Sequence, residues 1–292
     1  MEKRISDIIK LLKESGITFS EYVLKQEEKD SGKNREILFN EMRRILAVMK
    51  DNVQNARKTP VYSVSGLTGG NAYLYSLRIN RGACLAGEVI ANAVAMALSV
   101  SEINASMGRI IACPTAGSCG IVPAAVLSVA QKYNKNEDNI ISALFTAAGI
   151  GILIGEHATL SGAEGGCQAE CGSAAAMAAA AVVEMNRGTP EMIFDAAAIA
   201  IKNVLGLVCD PVCGLVEIPC IKRNAMGVTN AIISADMALA GIKSYIPFDE
   251  VVETMYRIGK ALPREMRETA LGGLAVTPTA SNLGKKLKTN HI

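Results

Sequence analysis

Near the start of the chain, apolar and charged residues alternate with the period of an amphipathic helix. Four apolar residues recur at spacings of three and four and so share one helix face: Ile5, Ile8, Ile9 and Leu12. Gly16 follows as a stop signal, and a second apolar stripe runs from about Asn34 to Val53. Between them, Lys25–Lys33 is interpreted as a charged linker. The pattern therefore predicts an N-terminal helical arm over residues 1–58, packed on the rest of the chain.

From Thr59 onward, loops of small residues separate Ala-rich stretches with helical character. Sustained alternation with a period of two is absent from the sequence, so few or no strands are expected. We predict a mainly α fold, in which residues 59–280 form a compact domain of buried Ala/Gly-rich helices with functional loops. The polar, basic segment 281–292 is expected to be a mobile tail. The predicted helices are Ala86–Met107, Val122–Tyr133, Asn139–Gly155, Ser173–Arg187, Pro190–Leu205, Asn224–Ala240 and Asp249–Leu262.

Composition excludes several classes of protein. The longest apolar stretch, Ile140–Gly155, is interrupted by polar residues and is shorter than the roughly 18–20 apolar residues of a membrane span, so buried helices are favoured over a membrane protein. The first residues lack the apolar core of a signal peptide, and a cytoplasmic location is expected. Aromatic residues make up 4% of the chain, tryptophan is absent and the net charge is +2, so nucleic acid is not an expected partner.

The chain has eight cysteines, and their spacing contains no Cys-x-x-Cys pair. This argues against a zinc ribbon, a thioredoxin-like site and a ferredoxin-type cluster run. Three cysteines lie at turn-like positions and could together hold an iron–sulfur cluster with one iron left open: Cys167, Cys209 and Cys220. Cys171 and Cys213 qualify equally by spacing alone. The alternative is that the thiols are small buried hydrophobic groups, which is how Cys84, Cys113 and Cys119 are interpreted.

Two glycine-containing loops have the composition of small-anion sites. The first comprises Thr68, Gly69, Gly70 and Asn71, and the second comprises Thr115, Ala116, Gly117 and Ser118. Backbone N–H groups at such turns, ahead of a helix, suit a carboxylate or a phosphate. The alternative is a simple turn, and neither loop matches a P-loop or dinucleotide fingerprint.

Taken together, five segments resemble the α subunit, or catalytic domain, of the iron–sulfur L-serine dehydratases. The similarity extends over nearly the whole chain, in order and at matching spacing, and it is weakest in the first fifty or so residues. The segments are SGLTGGNA (Ser65–Ala72), CPTAGSCGIVPA (Cys113–Ala124), SGAEGGCQAECGSA (Ser161–Ala174), GLVCDPVCGLVEIPCIKRNA (Gly206–Ala225) and RETALGGLA (Arg267–Ala275).

The resemblance implies a 4Fe–4S cluster on Cys167, Cys209 and Cys220, with Cys171 and Cys213 as spectators. Single-chain relatives end in a cysteine that can reach the cluster, whereas residues 275–279 contain none here. The resemblance also implies a separate β subunit, so this chain is expected to be one half of a two-subunit enzyme of amino-acid degradation and gluconeogenesis.

The expected reaction converts L-serine into pyruvate and ammonia, with the open iron acting as a Lewis acid on the serine hydroxyl. We expect the two glycine-containing loops to hold the substrate carboxylate. The base is left open among Glu164, Lys222, His157 and a group from the β subunit. One alternative is a non-catalytic iron–sulfur or metal scaffold that activates a partner enzyme. Another is a pyridoxal-phosphate dehydratase, for which the sequence offers no convincing lysine.

Overall fold

The computed structural model describes residues 4–290 and is built almost entirely of helices. The prediction of a mainly α fold is confirmed: the described residues form thirteen α-helices and two isolated bridges, with no strand. The helices are α1 (Ile5–Ser15), α2 (Phe19–Ser31), α3 (Arg35–Lys58), α4 (Asn71–Asn80), α5 (Glu88–Ala105), α6 (Ile121–Lys132), α7 (Glu137–His157), α8 (Gly162–Gly165), α9 (Ser173–Met185), α10 (Pro190–Lys202), α11 (Cys220–Leu239), α12 (Phe248–Ala261) and α13 (Pro278–Asn290).

Helix α9 lies at the centre of the molecule. Every residue of its Ala-rich sequence is buried except Glu184, and it packs against α6, α7, α10 and α11. Alanine favours helix and keeps the side-chain layer thin, so four neighbouring helices can approach α9 closely. A single π-helical turn, Gln168–Gly172, leads directly into α9. The segment that carries Cys167 is therefore anchored on the best-buried helix of the fold.

The N-terminal helices α1–α3 pack on the other helices, and their apolar residues Ile8, Leu12 and Phe19 join the same core as α9. The interpretation of Lys25–Lys33 as a linker was wrong, because residues through Ser31 belong to α2. Most of the charged residues lie in the second half of α2, and the buried residues of this helix lie in its first two turns. Thr18 caps α2 through Glu21 N (3.2 Å).

Helix α7 is long and apolar enough to cross a membrane by length and composition, but 61% of its most apolar window is buried inside the protein. This burial is typical of a core helix. At the other end of the chain, the predicted mobile tail was assigned to residues 281–292. The structure instead continues α13 as far as Asn290, and the last two residues lie outside the described range.

The packing of α2 on α7 makes a testable prediction at two glycines of α7. A Cβ at Gly149 would overlap Val23 Cγ2 and lie 3.1 Å from the Phe19 ring, whereas at exposed Gly155 the nearest atom is Leu160 Cδ1 at 3.5 Å. Overpacking costs about 1–3 kcal/mol, so we expect Gly149→Ala to lower the free energy of unfolding by about 1–2 kcal/mol. Gly155→Ala is expected to raise it by about 0.5–1 kcal/mol through helix propensity.

Urea unfolding of the two variants checks this comparison. Equal stability of Gly149→Ala and Gly155→Ala would show that α2 does not pack on α7 as described.

Candidate functional site

Three cysteine side chains from distant parts of the chain meet at one small cavity. Cys167 and Cys209 are each 3% exposed, and Cys220 is half-buried at the start of α11. The cavity has room for roughly one water molecule. The structure thus brings together the three cysteines that the resemblance singles out. The remaining lining residues are Gly117, Glu170, Cys171, Pro211, Val216 and Glu268.

Cys167 is positioned by its neighbour Gln168, whose side chain is fully buried. The amide Nε2 donates to Gly165 O (3.0 Å) and to Met255 O (2.9 Å) on α12, and Oε1 accepts from Gly206 N (2.9 Å). The backbone N–H of Gln168 donates to Leu207 O (3.1 Å). One buried amide therefore joins the turn before α9, helix α12 and the segment leading to Cys209. π-helical turns such as the one beginning at Gln168 are frequent at functional sites.

Cys209 is held between two other parts of the chain. Its N–H donates to Met266 O (2.8 Å) and its carbonyl accepts from Glu268 N (2.8 Å), which fixes it to the segment following α12. The next residue, Asp210, forms a buried ion pair with Arg223 of α11 (Oδ1 to Nη2, 2.8 Å).

The Asp210–Arg223 pair also organises the groups around it. Arg223 donates from Nη1 to Val208 O (2.8 Å), and Leu274 N donates to the second oxygen of Asp210 (2.8 Å). Only 4% of the Asp210 side chain and 14% of the Arg223 side chain are exposed. Since Arg223 lies one helical turn after Cys220, the pair connects two of the three cysteines.

The electrostatics of the cavity disfavour three thiolates unless a cation is present. Burial, reinforced by negative charge on Cys167 and Glu170, raises the pKa of Cys220 to about 12 and raises that of Cys209 further. The pKa of Cys167 is instead lowered, by its hydrogen bond with Cys171 and by nearby Arg223. A bound metal centre deprotonates its thiols and supplies the missing positive charge. The three cysteine sulfurs, which come from separate loops, are the ligand type of an iron–sulfur cluster, and the same cavity also contains the carboxylates of Glu170 and Glu268.

Two carboxylates accompany the cysteines, and the sequence interpretation missed both. Glu170 Oε1 accepts from Thr115 Oγ1 (2.8 Å), and its Oε2 lies 3.9 Å from Cys209 Sγ. Single ligand atoms of Glu170, Cys209 and Glu268 lie within 4.8 Å of one another. Burial raises the pKa of Glu170, against the lowering effect of the Thr115 hydrogen bond. The spacing of Glu170 three residues after Cys167 did not identify it, because Glu164 lies three residues before the same cysteine.

Of the two predicted anion loops, the second reaches the cavity through Gly117. The side chain of Asn224 on α11 holds this loop, donating to Gly117 O (2.7 Å) and accepting from Gly120 N (2.9 Å). A Cβ at Gly117 would lie 3.2 Å from Glu170 Oε1, so the glycine allows the loop to approach the carboxylate. Ser118 is buried, with Oγ 3.2 Å from that of Thr115.

The first loop, from Thr68 to Asn71, does not line the cavity. Its backbone has the predicted character of an anion site, but a carboxylate of the chain itself is bound there. Glu102 of α5, 1% exposed, accepts from Asn71 N (2.6 Å) and Ala72 N (3.2 Å) at the start of α4. Buried Glu217 accepts from Thr68 Oγ1 (3.2 Å). Substrate binding by this loop stays a prediction, and its donors at Asn71 already have an internal partner.

The three residues predicted as candidate bases lie outside the cavity lining. Glu164 is exposed on α8 and lies 3.9 Å from Lys260 Nζ. His157 places Nδ1 2.8 Å from Leu153 O and faces a different cavity, which includes Phe248. Lys222 is exposed on α11. Glu164 and Lys222 lie within three residues of the cavity-lining cysteines Cys167 and Cys220, but none of the three candidate side chains lines the cavity.

Comparison with known proteins gives consistent matches. A family described as serine dehydratase alpha chain matches residues 14–275. The probable L-serine dehydratase, alpha chain, of Bacillus subtilis (strain 168) is 50% identical over 287 residues, which cover 98% of this chain and 95% of that one. The L-serine dehydratase, alpha chain, of Peptoniphilus asaccharolyticus is 46% identical over 287 residues, covering 98% and 97%. The L-serine dehydratase TdcG of Escherichia coli (strain K12) is 46% identical over 183 residues, 62% of this chain and 40% of that protein.

The ion pair beside Cys209 generates a prediction about stability. Asp210→Ala leaves Arg223 buried without its counter-charge, and breaking a buried pair in this way costs about 3–5 kcal/mol. The exposed pair Lys132–Glu88 (2.8 Å) provides the comparison, and Lys132→Ala is expected to unfold close to the wild type. Urea unfolding of the metal-free chain measures both. Similar unfolding midpoints for the two variants would show that the buried pair does not support this part of the fold.

Proposed function

We propose that this chain carries a 4Fe–4S cluster held by Cys167, Cys209 and Cys220. The chain belongs to the serine dehydratase alpha chain family, and it is a lyase subunit that turns L-serine into pyruvate and ammonia. The reaction is proposed to take place at the cluster. The observation that supports the cluster is the convergence of these three thiols on one cavity. Cys171 lines the same cavity but is outside the proposed ligand set. When bound, the cluster supplies a Lewis acid for the departure of a poor leaving group, the serine hydroxyl.

The residues of the chain itself account for the other requirements of the reaction. The α-proton must be removed, and Glu170 is the half-buried carboxylate that lines the cavity. We therefore assign Glu170 as the base, in place of the three candidates from the sequence. Thr115 fixes one oxygen of Glu170 and leaves the other directed towards Cys209. Loss of the α-proton and of hydroxide gives an enamine, which becomes an imine and hydrolyses to pyruvate and ammonia.

The substrate's remaining charges suggest where it lies. Its carboxylate suits the Thr115–Ser118 loop, whose glycine borders the cavity, and its ammonium group suits the negative charge of Glu268. We propose that the Thr68–Asn71 loop acts indirectly, through the hydrogen bond from Thr68 Oγ1 to Glu217, which lies three residues before Cys220. The cavity in the chain alone has room for roughly one water molecule, so the cavity must widen to hold both the cluster and the substrate.

The name alpha chain in the relatives implies a separate subunit, and we propose that this is a β subunit needed for activity. We also propose a cytoplasmic location, which suits reduced thiols. There the enzyme would degrade serine and supply pyruvate for gluconeogenesis.

The cluster proposal is tested by replacing its ligands. Cys209→Ala and Cys220→Ala are each expected to abolish the thiolate-to-iron absorbance and bound iron after anaerobic reconstitution, because two remaining thiols do not hold the cluster. Both are also expected to abolish pyruvate formation from L-serine with the partner chain. Cys84→Ala, at a half-buried thiol outside the cavity, is the matched control and is expected to behave as the wild type.

Retention of iron and absorbance by either ligand variant would refute that residue's role. A cluster without serine turnover in the wild type would favour the scaffold alternative.

The assignment of the base is tested by comparing two glutamates. Glu170→Gln is expected to lower kcat by about 10²–10⁴-fold, the usual contribution of a general base. Its iron content should stay at the wild-type level, because Glu170 is not a proposed ligand. Glu164→Gln tests the earlier candidate and is expected to keep wild-type kcat. Measuring kcat with α-deuterated serine shows whether proton removal has become slower. A normal kcat in Glu170→Gln, or a large loss in Glu164→Gln, would reverse the assignment.

A further inference from the structure

The cavity contains one thiol more than the proposed cluster needs. The Sγ atoms of Cys167 and Cys171 lie 3.4 Å apart, and the two residues are 3% and 2% exposed. They are four positions apart on one turn and both line the cavity. Cys209 is directed to a different neighbour, with its Sγ 3.9 Å from Glu170 Oε2. Cys167 is therefore paired with a thiol that has no role in the proposed metal site.

We propose that, when the cluster is absent, Cys167 and Cys171 form a reversible intramolecular disulfide that withholds Cys167 from iron until it is reduced. The disulfide itself follows from the positions of the two thiols. Its effect on iron uptake rests on the proposed function, in which Cys167 is a cluster ligand.

Hydrogen peroxide is a small two-electron oxidant of thiols, and the cavity, with room for roughly one water molecule, must widen only slightly to admit it. The Cys167 sulfur attacks hydrogen peroxide, the O–O bond breaks, and a sulfenic acid forms with release of one water. The Cys171 sulfur then displaces the sulfenic oxygen, which leaves as a second water. Two thiols lose two electrons and two protons, and the peroxide is reduced to two waters.

The local backbone allows this bond with a modest movement. Residues four apart on a helix have Cβ atoms about 5–6 Å apart, whereas a disulfide needs about 3.5–4.5 Å, so the two must approach by roughly 1–2 Å. Glycines at 165, 166 and 172 flank the turn that carries both cysteines. Without Cys171, the sulfenic acid on Cys167 can proceed to the sulfinic acid, which is irreversible for most proteins. The second thiol thus protects a metal ligand.

The first experiment uses the full-length, metal-free chain treated with equimolar hydrogen peroxide. Free thiols are then alkylated, and the peptide containing residues 167 and 171 is examined by mass spectrometry. In the wild type we expect this peptide to lack two hydrogens and to accept alkylation at both sites only after reduction. Alkylation of both thiols without reduction, or a disulfide between other cysteines, would overturn the proposal.

The second experiment measures iron uptake after peroxide treatment, reduction and anaerobic reconstitution. The wild type is expected to regain the iron content of an unoxidised sample, whereas Cys171→Ala should regain at least about fivefold less, because its Cys167 is overoxidised. Cys213→Ala is the matched control, since its thiol contacts Ala280 O of α13 (3.9 Å) instead of the cavity, and should recover as the wild type does.

Equal recovery by Cys171→Ala and the wild type would overturn the protective role. Unoxidised wild type that takes up no iron would instead refute the proposed cluster, and the peptide mapping would still decide whether the disulfide forms.

Discussion

The buried ion pair between Asp210 and Arg223 is the interaction on which the geometry of the site depends. Two charges taken out of water are costly unless each is hydrogen-bonded, and here the hydrogen-bond partners include backbone next to Cys209. Asp210 receives Arg223 and the N–H of Leu274, while Arg223 also donates to Val208 O. The pair therefore fixes the position of Cys209 relative to α11, where Cys220 begins the helix. The Asp210–Arg223 ion pair thus sets the relative position of the segments that carry Cys209 and Cys220.

Internal carboxylates at helix N-termini are a recurring device in this fold. Glu102 binds the first N–H groups of α4, and Glu184, the one residue of α9 that is not buried, accepts from Ser20 N at the start of α2 (3.1 Å to each oxygen). Each carboxylate accepts hydrogen bonds from N–H groups that have no partner within the helix. Its negative charge also interacts favourably with the positive end of the helix dipole. The two contacts join α4 to α5 and α2 to α9, so polar groups contribute to tertiary packing in a chain with few aromatic residues.

Most helices after residue 80 could be predicted from the sequence, because their Ala-rich composition and the glycines at their ends are local signals. It failed for α2, whose charged second half hides a buried first half, and for α4, whose start is stabilised by a carboxylate from elsewhere in the chain. The three cysteines could be grouped through resemblance to a family. The cavity carboxylate Glu170 could not be distinguished from Glu164, because local spacing does not tell which side of a turn faces the interior. Tertiary contacts decide that question.

The hydrogen bond from Leu274 N to Asp210 spans 64 positions of sequence and has a consequence for biosynthesis. During translation, Cys167, Cys209 and Cys220 leave the ribosome well before the segment that completes the support of Asp210. The backbone of Cys209 likewise forms its hydrogen bonds with Met266 and Glu268 only after those residues have been synthesised. The complete thiol arrangement therefore requires synthesis of the chain at least as far as Leu274. The proposed cluster would therefore be inserted only after the chain has been synthesised and folded at least as far as Leu274.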